Sequence, residues 1–123
     1  LLAPSHYEPC GLTQIYALRY GTVPIVRAIG GFDDTIQQFD PTSGKGTGFK
    51  FQEHEAPAVL DQIREAIQTY QDKVVWQKLV NNGMKADFSW DESARKYVAL
   101  YEEVRQRRQK PNTGCEQDKA SSR

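Results

Sequence analysis

Apolar residues recur along this chain with two distinct periods. VPIVRA, Val23 to Ala28, is an unbroken, β-branched run of the kind that forms a buried strand in a parallel sheet. Leu1 to Pro4 is shorter and reads as the end of another buried strand, and GTGFKF, Gly46 to Phe51, places Phe49 and Phe51 on one side of Lys50, predicting a third strand with one buried face. Between the first two, Leu12, Ile15, Tyr16 and Leu18 repeat at helical spacing as far as Tyr20, and Gly21 stands where a C-terminal cap belongs. Ser5 to Gly11 is then the connecting loop, its path restricted by Pro9.

The second half of the sequence turns helical. Asp33-Asp34-Thr35-Ile36 is expected to open a short helix with an acidic residue near its positive end. Phe39 to Gly46 is rich in Asp, Pro, Thr, Ser and Gly and reads as a surface loop that tolerates change. Ala56 to Tyr70 sets Val59, Leu60, Ile63, Ile67 and Tyr70 on one face; Lys73 to Asn82 carries Val75, Trp76, Leu79 and Val80 before Gly83, which is expected to end it. Ser89 or Asp91 can cap a last helix from Glu92 to about Arg107, whose apolar positions are Ala94, Tyr97, Val98, Tyr101 and Val104. From Gln109 onward periodicity is lost, so 109–123 is expected to be a disordered tail. Two strand-loop-helix units followed by three helices predict an α/β fold, part of a Rossmann-like doubly wound domain over 1–108.

Composition narrows the function classes. The 123 residues contain 16 Lys+Arg and 16 Asp+Glu, a net charge of zero, which argues against a nucleic-acid binder acting through bulk charge; any anion must be held locally. No apolar run approaches the roughly 20 residues that span a bilayer, so no membrane partner is expected and the chain reads as soluble. The two cysteines, Cys10 and Cys115, form no CxxC site, and the two histidines, His6 and His54, stand far apart without a third ligand, so no metal is expected. The chain opens on Leu1-Leu2-Ala3 without an initiator Met and has few strands for a full sheet. An upstream, N-terminal part of the same protein is therefore expected to supply the rest.

The densest chemistry lies in YEPCGLTQ, Tyr7 to Gln14. A strand ends near Ser5, and the amides of Cys10, Gly11, Leu12 and Thr13 lie at or near a first helical turn, where unpaired N–H groups favour an anion. Gly11 clears the approach to the backbone and Thr13 adds a hydroxyl, a combination suited to a diphosphate. Glu8 would repel phosphate but accepts strongly from hydroxyls, so it suits a sugar beside that diphosphate. The same spacing also fits a solvated loop carboxylate, a buried cysteine acting as a small hydrophobe and an ordinary turn glycine. A cysteine nucleophile is disfavoured for want of a His and Asn placed to activate it, and a hydrolase for want of a second carboxylate opposite Glu8.

E-P-C-G-L-T-Q at Glu8 to Gln14, Y-A-L-R-Y-G-T-V-P-I-V at Tyr16 to Val26, the following G-G-F-D-D-T, then G-T-G-F-K-F and K-A-D-F-S-W-D-E-S-A-R-K-Y closely resemble, in the same order, the bacterial glycogen synthase and plant starch synthase family. The resemblance runs over about residues 1 to 105. It implies the C-terminal part of the nucleotide-binding domain of a two-domain GT-B glycosyltransferase, cytoplasmic or plastidic. Such an enzyme transfers glucose from ADP-glucose or UDP-glucose to the non-reducing end of an α-1,4-glucan with retention, and needs no metal or cofactor. The resemblance puts Glu8 on the donor glucose as the catalytic-site carboxylate, the backbone of Cys10, Gly11 and Leu12 along that glucose, and the Leu12 and Thr13 amides on the diphosphate. Tyr16 lies towards the nucleoside, at a position where related transferases carry a second glutamate. Gly30 and Gly31 resemble the family's second glycine pair near the same cleft, though a packing turn fits them equally. An arginine and a lysine on the diphosphate lie upstream of Leu1, so the fragment alone is expected to be inactive. The alternative is a non-catalytic nucleotide-sugar or glucan-binding module that keeps the fold.

Overall fold

The computed structural model describes residues 1–109. Three short strands, β1 (Leu2–Ala3), β2 (Ile25–Arg27) and β3 (Phe49–Phe51), lie parallel in that order, with Leu2 opposite Ile25 and Ile25 opposite Phe49. The connections are helical: α1 (Thr13–Arg19) joins β1 to β2 and α2 (Gly30–Thr35) follows β2. After β3 come α3 (Ala56–Gln71), α4 (Lys73–Lys85) and α5 (Trp90–Gln109). The α/β reading therefore holds, with all three predicted strands and all five predicted helices present. The chain divides into two compact units, one of Leu1–Ala86 and one beginning at Asp87. Most of the expected tail lies outside the described residues.

Successive residues of a strand face opposite sides of a sheet, and β2 divides the core accordingly. Val26 packs with Leu18, Phe32 and Ile36, whereas Ile25 lies against Val23, Phe39, Phe49, Ala66 and Leu79. Five details differ from the sequence reading. β1 is not buried: Leu2 is 48% exposed, because β1 is an edge strand of this sheet, paired only with β2 among the described residues. The short helix begins at Gly30, not at Asp33, so the glycine pair forms its first turn. Phe39 is no tolerant loop residue; it is buried and meets Phe49 edge to face, with ring centres 6.2 Å apart.

Gly83 does not end its helix. α4 continues to Lys85, and Gly83 sits buried where a Cβ would come within 2.7 Å of Leu18 Cδ2, so its small size permits the close approach of α1 and α4. On α3 the deepest residue is Ala66, whereas Leu60, Ile67 and Tyr70 on the predicted apolar face stay exposed. Within the second unit Ser89 does cap α5, its hydroxyl accepting from the Glu92 amide at 3.3 Å. Gly21 also acts as foreseen: with φ of +73° it ends α1, its amide donating to Leu18 O and that of Thr22 to Ala17 O.

Candidate functional site

Ligands of open α/β sheets sit beyond the carboxyl ends of the strands, and here three chain segments leave those ends together. Arg27, the last residue of β2, ties them: its Nε donates to Gln52 O at 3.1 Å and its Nη1 to His6 O at 2.9 Å. The loops after β1 and β3 are thereby held to the central strand. His6 and His54, 48 positions apart and expected to be distant, are brought ring to ring at 5.0 Å, with His54 Nε2 3.3 Å from the Pro4 carbonyl oxygen. No group of three His, Cys, Asp or Glu suited to a metal occurs among the described residues.

Glu8, Cys10, Gly11, Leu12 and Thr13 follow in the loop between β1 and α1. Glu8 is half-buried, and among the described residues its carboxylate has no hydrogen-bond or salt-bridge partner. Cys10 is an exposed free thiol, which removes the reading of it as a buried hydrophobe. Gly11 takes a left-handed φ of +61° and Leu12 follows in the right-handed region at φ −118° and ψ −16°. A left-handed residue beside a right-handed one turns successive N–H groups to the same side, a concavity suited to an anion. No side chain caps the start of α1. Gly11 is required twice over, by its φ and because a Cβ would stand 2.8 Å from Gln14 Oε1 and 3.3 Å from Glu8 Cγ.

Gly30 and Gly31 are placed against the same loop. The Gly31 amide donates to Glu8 O at 3.1 Å. A Cβ on Gly30 would collide with the Glu8 carbonyl and one on Gly31 with the Cys10 carbonyl, so the start of α2 and the loop are in backbone contact. The pair is thus a packing turn, and what it packs against is the loop of Glu8 and Cys10. Tyr16 lies one turn beyond Leu12, its amide donating to Leu12 O at 3.0 Å, and its side chain is exposed along with those of Leu12 and Tyr20. Of the apolar positions that recur at helical spacing here, Leu18 is buried while Leu12 and Tyr16 are exposed; the buried residues of α1 are Gln14 and Leu18.

Gln14 is the residue whose part in this arrangement pattern-reading missed. It is wholly buried, and its Nε2 donates to Gly11 O at 3.0 Å, to Cys10 O at 3.3 Å and to Thr35 Oγ1 at 3.2 Å. The Thr35 hydroxyl donates in turn to Gly31 O, so one polar thread joins the loop after β1 to α2. In the sequence Gln14 ends the E-P-C-G-L-T-Q stretch and stands between Thr13 and Ile15 at the start of a helix, which does not distinguish it from an ordinary solvated residue.

No protein-family profile matches the chain. Among curated proteins it is similar to the glycogen synthase of Koribacter versatilis, 58% identical over 105 residues, covering 85% of this chain and 22% of that protein. The glycogen synthase of Kosmotoga olearia is 48% identical over 103 residues, covering 84% of this chain and 22% of its own length. The chain thus spans about a fifth of the length of these relatives. Among solved structures it is similar to the catalytic domain of starch synthase IV from Arabidopsis thaliana bound to ADP and acarbose. That match has a TM-score of 0.71 at 39% identity, covering 83% of this chain and 22% of that one. A sucrose-phosphate synthase from Thermosynechococcus elongatus matches with a TM-score of 0.59 at 28% identity, covering 86% of this chain and 25% of that one. The resemblance to bacterial glycogen synthases and plant starch synthases therefore holds along this stretch, and the structural neighbours are GT-B glycosyltransferases.

Proposed function

We propose that this chain forms the C-terminal part of the donor-binding domain of a glycogen or starch synthase. In that enzyme, glucose passes from ADP-glucose or UDP-glucose to the non-reducing end of an α-1,4-glucan with retention of configuration. The observation that carries the reading is the pairing, within one loop, of a half-buried carboxylate without a partner among the described residues and a run of amides opened by the left-handed Gly11. Glu8 accepts hydrogen bonds from the donor glucose hydroxyls. The Leu12 and Thr13 amides face the diphosphate, with the Cys10, Gly11 and Leu12 backbone along the sugar and Tyr16 towards the nucleoside. The ADP bound to the Arabidopsis starch synthase IV relative supports a nucleoside diphosphate as the ligand class.

On this reading the chemistry of these residues is electrostatic. As the bond between the anomeric carbon and the diphosphate oxygen lengthens, negative charge grows on the leaving group, and amides already turned towards it stabilise that charge without reorganisation. The Gly30–Gly31 turn keeps the loop in place by backbone contact. Glu8 orients the sugar. The cationic groups that share the diphosphate charge lie in the upstream part of the enzyme, and the bacterial relatives support a cytoplasmic setting.

The test is glucan elongation by the longer protein that carries this segment. Glu8→Ala there removes a charge-assisted acceptor, a loss of about 1.5 to 3 kcal/mol per hydrogen bond, or roughly 10- to 100-fold in rate. Glu8→Ala with unchanged transfer from either nucleotide sugar removes Glu8 from the donor site.

A further inference from the structure

We propose that Gln14 is a positioning residue that turns the donor-facing amides of Gly11 and Leu12 outward by holding their peptide carbonyls inward; this rests on the reading of the loop as a donor site. The argument starts from the peptide unit. In a planar trans peptide the C=O and N–H point in opposite directions, and no peptide bond among the described residues is cis. The Cys10 carbonyl belongs to the same peptide as the Gly11 amide, and the Gly11 carbonyl to the same peptide as the Leu12 amide. Both carbonyls accept from Gln14 Nε2, a wholly buried atom's partner set on the interior side of the loop. The Gly11 and Leu12 N–H groups are therefore aimed away from the interior.

The preceding peptide completes the pattern. The Glu8 carbonyl is taken by the Gly31 amide, and its peptide partner is Pro9, which has no N–H. Every carbonyl from Glu8, Cys10 and Gly11 thus has an interior donor, and the donors left over face out. Gln14 Nε2 has two hydrogens for three acceptors, so one is shared, with Thr35 Oγ1 fixing the amide plane from α2. Gln14 Oε1 is buried without a hydrogen-bond partner among the described residues. A buried acceptor left unpaired is costly, and what offsets it here is the set of acceptors that the Gln14 NH2 group holds.

The experiment uses the longer protein carrying this segment, with Gln14→Met, Gln14→Glu and, as a milder cut of the same thread, Thr35→Val. Binding of ADP and UDP is measured beside binding of adenosine and uridine, together with donor and acceptor kinetics and exchange of the Gly31 amide. Gln14→Met is expected to weaken diphosphate binding at least roughly tenfold with nucleoside binding unchanged, as loss of aimed amides predicts. Donor KM rises and kcat falls while acceptor KM stays put, and Thr35→Val does the same to a smaller extent. Gln14→Glu is expected to regain diphosphate binding relative to wild type as pH falls from about 9 to about 6, because a buried carboxyl, its pKa raised, protonates and again donates. Folded Gln14→Met with wild-type ADP affinity, equal weakening of ADP and adenosine, or Gln14→Glu without pH-dependent recovery each overturn the proposal. Wild-type protein that binds neither diphosphate instead overturns the donor-site reading. Gly31 exchange then judges the clamp separately: unchanged exchange in Gln14→Met overturns it, and faster exchange leaves Gln14 holding the loop against α2.

Discussion

Gly31 needs no left-handed backbone; it needs the absence of a Cβ, since any side chain there would enter the Cys10 carbonyl. Gly21 poses the opposite case, a φ of +73° with a Cβ position 3.3 Å from Val80. Alanine at Gly21 therefore costs about 1 to 2 kcal/mol of left-handed strain, while alanine at Gly31 forces two backbone segments apart and costs about 3 kcal/mol or more. Urea midpoints of the two variants order them, and Gly31→Ala should also weaken donor binding where Gly21→Ala does not. Asp40 gives a residue-scale prediction in pH. Its carboxylate accepts from the Thr42 amide at 2.9 Å and the Ser43 amide at 3.3 Å, and hydrogen bonding, the Ser43 side chain foremost, holds its pKa below the ordinary value. A depressed folded pKa means that the ionised form favours the fold, so the contribution is present above the unfolded value near 3.8 and fades as pH falls through the lower folded one. Asp40→Ala should thus lower the denaturation midpoint slightly at neutral pH, with the gap to wild type closing in acid.

At the scale of elements, the period of each apolar run identified strand or helix correctly, but burial did not follow from it. Phe39 begins a stretch of Asp, Pro, Thr, Ser and Gly, and composition made it surface; in the fold its ring fills the space between β3 and the helices beyond. Phe39→Ala is expected to cost about 3 to 5 kcal/mol, against a few tenths for Thr42→Ala in the exposed turn, a difference that thermal unfolding resolves directly. The failures share a cause. A periodic stripe says that one side of a helix is apolar, not which part of that side meets the sheet, and on α3 the contact centres on Ala66 while Leu60 and Ile67 flank it in the open. Gly83 misled for a related reason: glycine signals a helix end in isolation, and only the crossing of α1 over α4 reveals it as a spacer. The backbone of the candidate loop was more legible than the packing, because the left-handed Gly11 and the approach of Gly30–Gly31 are demands on backbone that few residues meet. Gln14 escaped since its partners are main-chain carbonyls and a threonine 21 positions away, which no local pattern encodes.

On the scale of the whole molecule, the proposed donor grip is one-sided. The described residues offer amides and one carboxylate at the candidate site, and Arg27, the cation at the strand ends, is engaged with the His6 and Gln52 carbonyls rather than turned to a ligand. Two negative phosphates held by amides alone, in water, gain only the modest net energy of exposed hydrogen bonds. The chain also covers about 22% of the length of its glycogen synthase relatives. ADP should therefore bind the isolated 123 residues only weakly, with a dissociation constant on the order of a millimolar, and ADP-glucose should not elongate a glucan in their presence. Both activities are expected to appear in the longer protein, where the proposed upstream cations would share the diphosphate charge, and the gain in ADP affinity should shrink as salt is raised. Isothermal titration on the two proteins, with a radiolabelled glucan assay beside it, reads these outcomes together. Turnover by the isolated chain would mean that the amides of the loop and Glu8 suffice for transfer, and the division of the site between upstream and downstream parts would have to be abandoned.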